Sequence, residues 1–178
     1  DYGCGTGVFV TAARARGQDF VGCDTFAGIW SEWINSVDPQ TRPYISAIEA
    51  GKIGFPDASF DVVTSNQVFE HVPEHLLEPV LAEIARVLRP GGVFIALFPT
   101  RDVWLEGHLG VYFVHWMRPG SALRRRWLEA VHGLGLGYYR DGKTRETWVG
   151  DMSAILDGSV HYHSKETIDA FWRKAFGA

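Results

Sequence analysis

Asp1-Tyr2-Gly3-Cys4-Gly5-Thr6-Gly7 puts glycine at every second position, and the segments that follow decide what such a ladder can be. Glycines let the backbone turn sharply and let a ligand approach with no Cβ in the way. Val8-Phe9-Val10 with Ala12, Ala13 and Ala15 predicts a helix directly after the ladder, closed by Gly17. A strand end, a glycine loop and a helix start in that order form either a ligand loop or a plain tight turn. The pattern D-x-G-x-G-x-G departs from the dinucleotide fingerprint G-x-G-x-x-G, because residue 8 is Val. A carboxylate just ahead of the glycines repels a pyrophosphate but suits a cationic ligand.

The next ninety residues alternate strand and helix. Phe20-Val21-Gly22-Cys23 is a short apolar run closed by Asp24, as in a buried parallel strand. Ile29, Trp30, Trp33, Ile34 and Val37 recur at helical spacing up to Pro39. Tyr44–Ile48 reads as a third strand and Phe60-Asp61-Val62-Val63-Thr64 as a fourth. Leu77, Val80, Leu81, Ile84, Val87 and Leu88 mark one face of a helix, with Pro79 placed in its first turn. Arg89-Pro90-Gly91-Gly92 breaks that helix, and Val93–Phe98 is an apolar fifth strand. This alternation predicts an α/β fold, a Rossmann-like, doubly wound, mostly parallel sheet whose ligand sits beyond the carboxyl ends of the strands. The site is therefore expected at residues 1–7, at Asp24, ahead of Phe55, and at Ser65–His71.

A length of 178 residues is one domain's worth, with 46% hydrophobic and 21% charged residues. A formal charge of −4 argues against a dominant nucleic-acid or anionic-membrane surface, and the longest apolar stretch falls far short of a membrane span. Cys4 and Cys23 form no framework and suit small buried residues in a reducing cytoplasm. Beyond Pro99 the character changes, because Trp104, Tyr112, Trp116, Trp127, Tyr138 and Trp148 crowd into one stretch. Leu123–Val131 and Thr167–Phe176 read as helices, and Tyr138–Arg145 as a hairpin about Asp141-Gly142.

The segment from Asp1 to about Pro99 resembles the class I S-adenosylmethionine-dependent methyltransferases of small-molecule type. The resemblance rests on DYGCGTG, on Gly22-Cys23-Asp24, on residues 54–61 (GFPDASFD), on residues 65–72 (SNQVFEHV) and on Leu88-Arg89-Pro90-Gly91-Gly92. It implies a cofactor site for S-adenosyl-L-methionine. Asp1 would lie near the methionine ammonium, with Gly3, Cys4, Gly5 and Gly7 passing under the methionine and ribose. Asp24, followed by Thr25, would accept the ribose hydroxyls, although a helix-capping role also suits an Asp there. Glu49-Ala50 is the best match to the adenine-side motif, with Gly54 where the family has Pro, and Asn66 and Gln67 would flank the methionine end.

Residues 1–99 are thus read as the cofactor-binding core, 100–163 as a helical and aromatic insertion over the acceptor, and 164–178 as a helix returning to the core. Family members carry a helix and apolar residues ahead of the glycine loop and two further strands after the fifth. The chain is therefore expected to be a fragment cut at both ends, with an exposed sheet edge and weakened contacts near Asp1.

A base is needed only when the acceptor must lose a proton. His71, after the fourth strand, and His115, in the insertion, are the candidates, with Glu106 and His108 nearby in sequence. Each also fits an ordinary structural role. His161-Tyr162-His163 alternates like a metal-binding strand but has no third ligand at a convincing spacing, so no metal is expected. Arg124-Arg125-Arg126 reads as a solvated helix surface. The expected partner is a small-molecule methyl acceptor, with no nucleic acid and no membrane. The competing readings are a non-catalytic module binding the cofactor or S-adenosylhomocysteine and, less well matched, an NAD-dependent oxidoreductase.

Overall fold

The computed structural model describes residues 1–177, with Ile29 described by its backbone alone. It divides into two compact units, residues 1–98 with 169–178 and residues 99–168.

In the first unit, helix α1 (Val8–Arg14) starts directly at Gly7, whose φ of 77° closes the glycine loop. Strands β1 (Gly22–Asp24) and β2 (Ile45–Ala47) pair in parallel, as do β3 (Phe60–Asn66) and β4 (Leu88–Leu97). Tyr2 joins the two pairs, bridging Cys23 in parallel while its N–H donates to the Thr64 carbonyl at 2.8 Å. The order is therefore β2, β1, Tyr2, β3, β4. The chain leaves the centre in one direction and returns in the other, so strand order reverses at Tyr2. In a doubly wound sheet that reversal opens the ligand crevice.

Helix α2 (Glu74–Val87) buries Leu77, Leu81, Ile84 and Val87 along one stripe. Glu83 on the same helix is also buried, because its carboxylate ties down the loop before β3. It accepts from Ile53 N at 2.9 Å, Lys52 Nζ at 3.1 Å and the Arg86 guanidinium. Arg86 in turn donates to the carbonyls of Ile53 and Phe55 and to Asp57. Helix α5 (Lys165–Phe176) contributes Trp172, which stacks on Phe94 at 5.6 Å and meets Phe69 edge-on at 5.0 Å.

Four local expectations are corrected. Pro79 is the sixth residue of α2, in its second turn, because the helix begins at Glu74. Arg89–Gly92 does not separate helix from strand; it belongs to β4, whose register slips between Leu88, opposite Phe60, and Val93, opposite Val62. Ile29–Val37 is not an α-helix but runs of 3₁₀ turns over Gly28–Ser36. Three residues per turn stack Trp30 and Trp33 on one side, with ring centroids 6.2 Å apart. Tyr138–Arg145 is not a hairpin. Turns at 141–142 lead to Thr144, whose hydroxyl caps helix α4 (Arg145–Gly158) by accepting from Thr147 N at 3.2 Å.

The second unit is built on helix α3 (Ala122–Gly133) and α4, which share a core of Leu128, Val131, Trp148, Met152 and Leu156. Its hairpin lies earlier, pairing β5 (Leu105–Glu106) with β6 (Val111–Tyr112). Ser121 caps α3 through Arg124 N. In the first unit β4 pairs only with β3 among the described residues, and its Val93, Ile95 and Leu97 are exposed. No described helix is long and apolar enough to cross a membrane.

Candidate functional site

A pocket of about 330 Å³ opens at the switch point, within the size range of small-molecule sites. Its walls include Gly3, Asp24, Thr25, Trp30, Trp33, Gln67 and His71, with Ile48, Val68 and Val80 adding apolar surface and Gly51 at the edge. Gly3 holds φ +72°, and a Cβ there would lie 2.3 Å from a Val68 methyl carbon, so only glycine keeps this close approach. Gly7 is equally constrained, since a Cβ would meet Ile45 at 2.4 Å.

Asp24 organises the loop before any ligand arrives. Its Oδ2 accepts from Gly5 N at 2.8 Å and its Oδ1 from Phe26 N at 3.2 Å. The carboxylate thus locks the turn while also bordering the pocket. Gln67, just past β3, has φ 56° and donates its N–H to the Leu97 carbonyl at 2.8 Å. A non-glycine residue in the left-handed region is uncommon, and here the sheet holds it at the pocket wall. His71 meets the Trp30 ring edge-on at 5.0 Å.

Of the residues singled out in the sequence, Gly3, Asp24, Thr25, Gln67 and His71 border one pocket. The others lie apart from its lining. The Asp1 carboxylate accepts from Thr64 Oγ1 at 2.9 Å. The Cys4 side chain packs with Val10, Val37 and Ile45 in the core, and burial pushes its thiol up to about 12. Gly5 and Gly7 shape the loop. Glu49 and Ala50 are exposed in a turn closed by Glu49 and Lys52, between the wall residues Ile48 and Gly51, and Asn66 is exposed at the end of β3. His115 belongs to the second unit. Sequence reasoning missed Trp30 and Trp33 as pocket walls; their i, i+3 spacing shortly after Asp24 was the available signal.

The second unit holds a separate polar centre. Glu106 is fully buried; its Oε1 accepts from His108 Nδ1 at 2.7 Å and Tyr162 Oη at 2.7 Å, and its Oε2 from Leu109 N at 2.7 Å. Burial alone would raise this carboxyl's pKa, but the His108 and Tyr162 hydrogen bonds outweigh it and hold it below its ordinary value. Burial pushes the His115 imidazole below its ordinary pKa, outweighing hydrogen bonds to the backbone at Arg101 and Val103.

The glycine cradle, a carboxylate at the end of β1 and a parallel sheet reversing at Tyr2 describe a cofactor-binding α/β domain of the methyltransferase type. The methyltransferase domain family matches residues 1–96. The chain is 34% identical over 123 residues to demethylmenaquinone methyltransferase of Bacillus licheniformis, covering 65% of this chain and 50% of that protein. It is 33% identical over 107 residues to Sterol 4-C-methyltransferase strm-1 of Caenorhabditis elegans, covering 57% and 31%. A solved SAM-dependent methyltransferase from Methanosarcina mazei shares the fold, with a TM-score of 0.60 at 18% identity over 98% of this chain and 76% of that one. The chain belongs to the class I S-adenosylmethionine-dependent methyltransferase family, whose cofactor is S-adenosyl-L-methionine. It spans half or less of the length of these two curated relatives.

The pocket fits that cofactor. Gly3 lets Val68 close in at one wall, the tryptophans and Ile48 offer apolar faces to a base, and Asp24 supplies an acceptor.

Proposed function

We propose that this chain transfers a methyl group from S-adenosyl-L-methionine to an O, N or C atom of a small-molecule acceptor. The observation that carries the reading is the pocket at the switch point, in which Gly3 of the glycine loop, Asp24 at the end of β1 and Gln67 just past β3 converge. Asp24 would accept the ribose hydroxyls beside its two backbone donors, and Ile48 and Gly51 would flank the adenine, next to Glu49 and Ala50. Thr25 and Gln67 would border the ribose and methionine ends, with Asn66 at the strand end and Asp1, through its tie to Thr64, near the ammonium. Cys4, Gly5 and Gly7 would act through the loop's backbone shape.

The sulfonium supplies an already activated methyl carbon, so the protein's task is alignment. Holding nucleophile and methyl in line is worth roughly 7–11 kcal/mol. Where the acceptor is a hydroxyl or a protonated amine, a proton must leave. His71, His115 and His108 are the candidates. His108 is the best organised of them, since its Nδ1 is held 2.7 Å from Glu106 Oε1. Residues 1–99 would serve as the cofactor core and residues 100–163 as the acceptor-serving insertion, with residues 164–178 returning to the core.

The test is transfer of a labelled methyl group from the cofactor to the small-molecule fraction of an extract. Label in compounds below about 1 kDa is expected. Tight cofactor binding with no label transferred would favour the non-catalytic binding module instead.

A further inference from the structure

Arg124 lies in the first turn of α3 with its side chain only 4% exposed. A guanidinium does not give up its proton near neutral pH, so this is a buried positive charge. One of its nitrogens is accounted for, because Nη1 donates to Asp157 Oδ1 at 2.6 Å. Nε and Nη2 are both buried and have no hydrogen-bond partner among the described residues. Their N–H bonds run side by side along one edge of the guanidinium plane. That edge matches the two oxygens of a carboxylate or phosphate. Buried donors are nearly always satisfied in folded proteins, so a whole unpaired edge needs an explanation.

Arg124 borders a cavity of about 250 Å³ within the second unit, with Arg101, His115, Tyr162, Asp157 and Leu156 among its walls. Two arginines face one aspartate there, which leaves the lining positive. The His115 ring also borders the cavity, beside backbone groups of Arg101 and Val103. A second cleft, of about 360 Å³, borders the same Arg124–Asp157 pair, but there Glu146 offsets Arg125. The cavity on the Arg101 side is the one suited to an anion.

We propose that this cavity binds the oxyanion of a small molecule, a carboxylate or a phosphate, on the Nε–Nη2 edge of Arg124, with Arg101 as a further donor. All of these residues lie between 101 and 162, so the site stands whether or not the chain transfers methyl groups. If it does, the site anchors an acceptor that carries an acidic group, and the apolar wall at Leu156 suits such a molecule's hydrocarbon part.

The experiment is calorimetric titration of the full chain at constant ionic strength, without cofactor, using inorganic phosphate and, separately, benzoate. One saturable site per chain is expected for at least one probe; saturation by phosphate alone assigns a phosphate ligand, by benzoate alone a carboxylate. Arg124→Lys keeps a charge to pair with Asp157 but loses the two-pronged edge, and should weaken binding at least tenfold while its circular dichroism is unchanged. Should that variant not fold, Arg101→Gln, at an exposed position, should weaken binding several-fold. Absence of saturation by both probes overturns the proposal. So does a folded Arg124→Lys, or in its place Arg101→Gln, that binds like the wild type.

Discussion

Replacing Asp24 by Ala perturbs two things at once, and the structure lets them be separated. Its Oδ2 accepts from Gly5 N at 2.8 Å and its Oδ1 from Phe26 N at 3.2 Å. A hydrogen bond to a charged group contributes about 1.5–3 kcal/mol, and a buried donor left unmet costs about 1–3 kcal/mol. Gly5 is buried, so water cannot readily replace the lost oxygen. A loss of about 2 kcal/mol without cofactor follows, which in a chain of this size lowers Tm by roughly 4–8 °C. Cofactor affinity should fall at least tenfold beyond that, since the ribose hydroxyls lose their acceptor. Asp24→Asn keeps one carbonyl oxygen for the loop but not the charge, so it should recover more of the stability than of the affinity. Differential scanning calorimetry reads the first quantity and isothermal titration with S-adenosyl-L-methionine the second. An Asp24→Ala protein with unchanged Tm would show that the loop is not locked by this carboxylate. Unchanged affinity would remove Asp24 from the cofactor site.

Three further outcomes follow from the same geometry. Gly3→Ala forces a Cβ to 2.3 Å from Val68 at φ +72°, so it should cost about 1–3 kcal/mol; Gly3→Ala with Val68→Ala relieves the overlap and should regain part of it in urea melts. Hydrogen bonds from Arg86, then from Lys52 and Ile53, hold the Glu83 carboxyl down at about 2 against an ordinary 4.5. A depressed carboxyl stabilises the fold above its unfolded value, and that contribution drains away as pH falls from 4.5 towards 2. At neutral pH it is worth roughly 1–3 kcal/mol after allowance for the exposed Lys52 partner. The gap between wild type and Glu83→Gln in denaturant melts should therefore narrow between pH 5 and about pH 2.5, and a constant gap would contradict the assignment. Burial raises the Cys4 thiol to about 12 and the Cys23 thiol to about 11. Iodoacetamide at pH 8 should leave both unmodified in the native protein and alkylate both in urea.

The fold was legible where one signal dominated locally. Glycine spacing, the apolar runs at β3 and β4 and the stripe from Leu77 to Val87 each pointed to a single element. The parallel pairing followed from the alternation of strands and helices, whereas the strand order around Tyr2 came only from the structure. What was not legible depended on tertiary partners. Arg89–Gly92 reads as a breaker, yet β4 absorbs it as an irregularity because Leu88 and Val93 both find places against β3. Asp141-Gly142 looks like a hairpin turn, but the residues after it pack Trp148 and Met152 into a helical core. At the site, the carboxylate at the end of β1 could be named from sequence, whereas its bond to Gly5 could not. Trp30 and Trp33 read as one face of an α-helix; they lie instead in 3₁₀ turns and line the pocket, a placement set by tertiary packing. The buried Glu106 and Arg124 carry no local sequence signal, since what makes each unusual is how its hydrogen bonds are met.

The central claim is that the pocket between Gly3, Asp24 and Gln67 holds S-adenosyl-L-methionine. Its most direct test is a crystal structure or NMR chemical-shift map of the chain with S-adenosylhomocysteine. The account predicts the ribose within hydrogen-bonding distance of Asp24, the base against Ile48 and Trp33, and the sulfur near Gln67. A ligand found elsewhere, or a chain that binds NAD in this pocket and not the methyl donor's product, would contradict it.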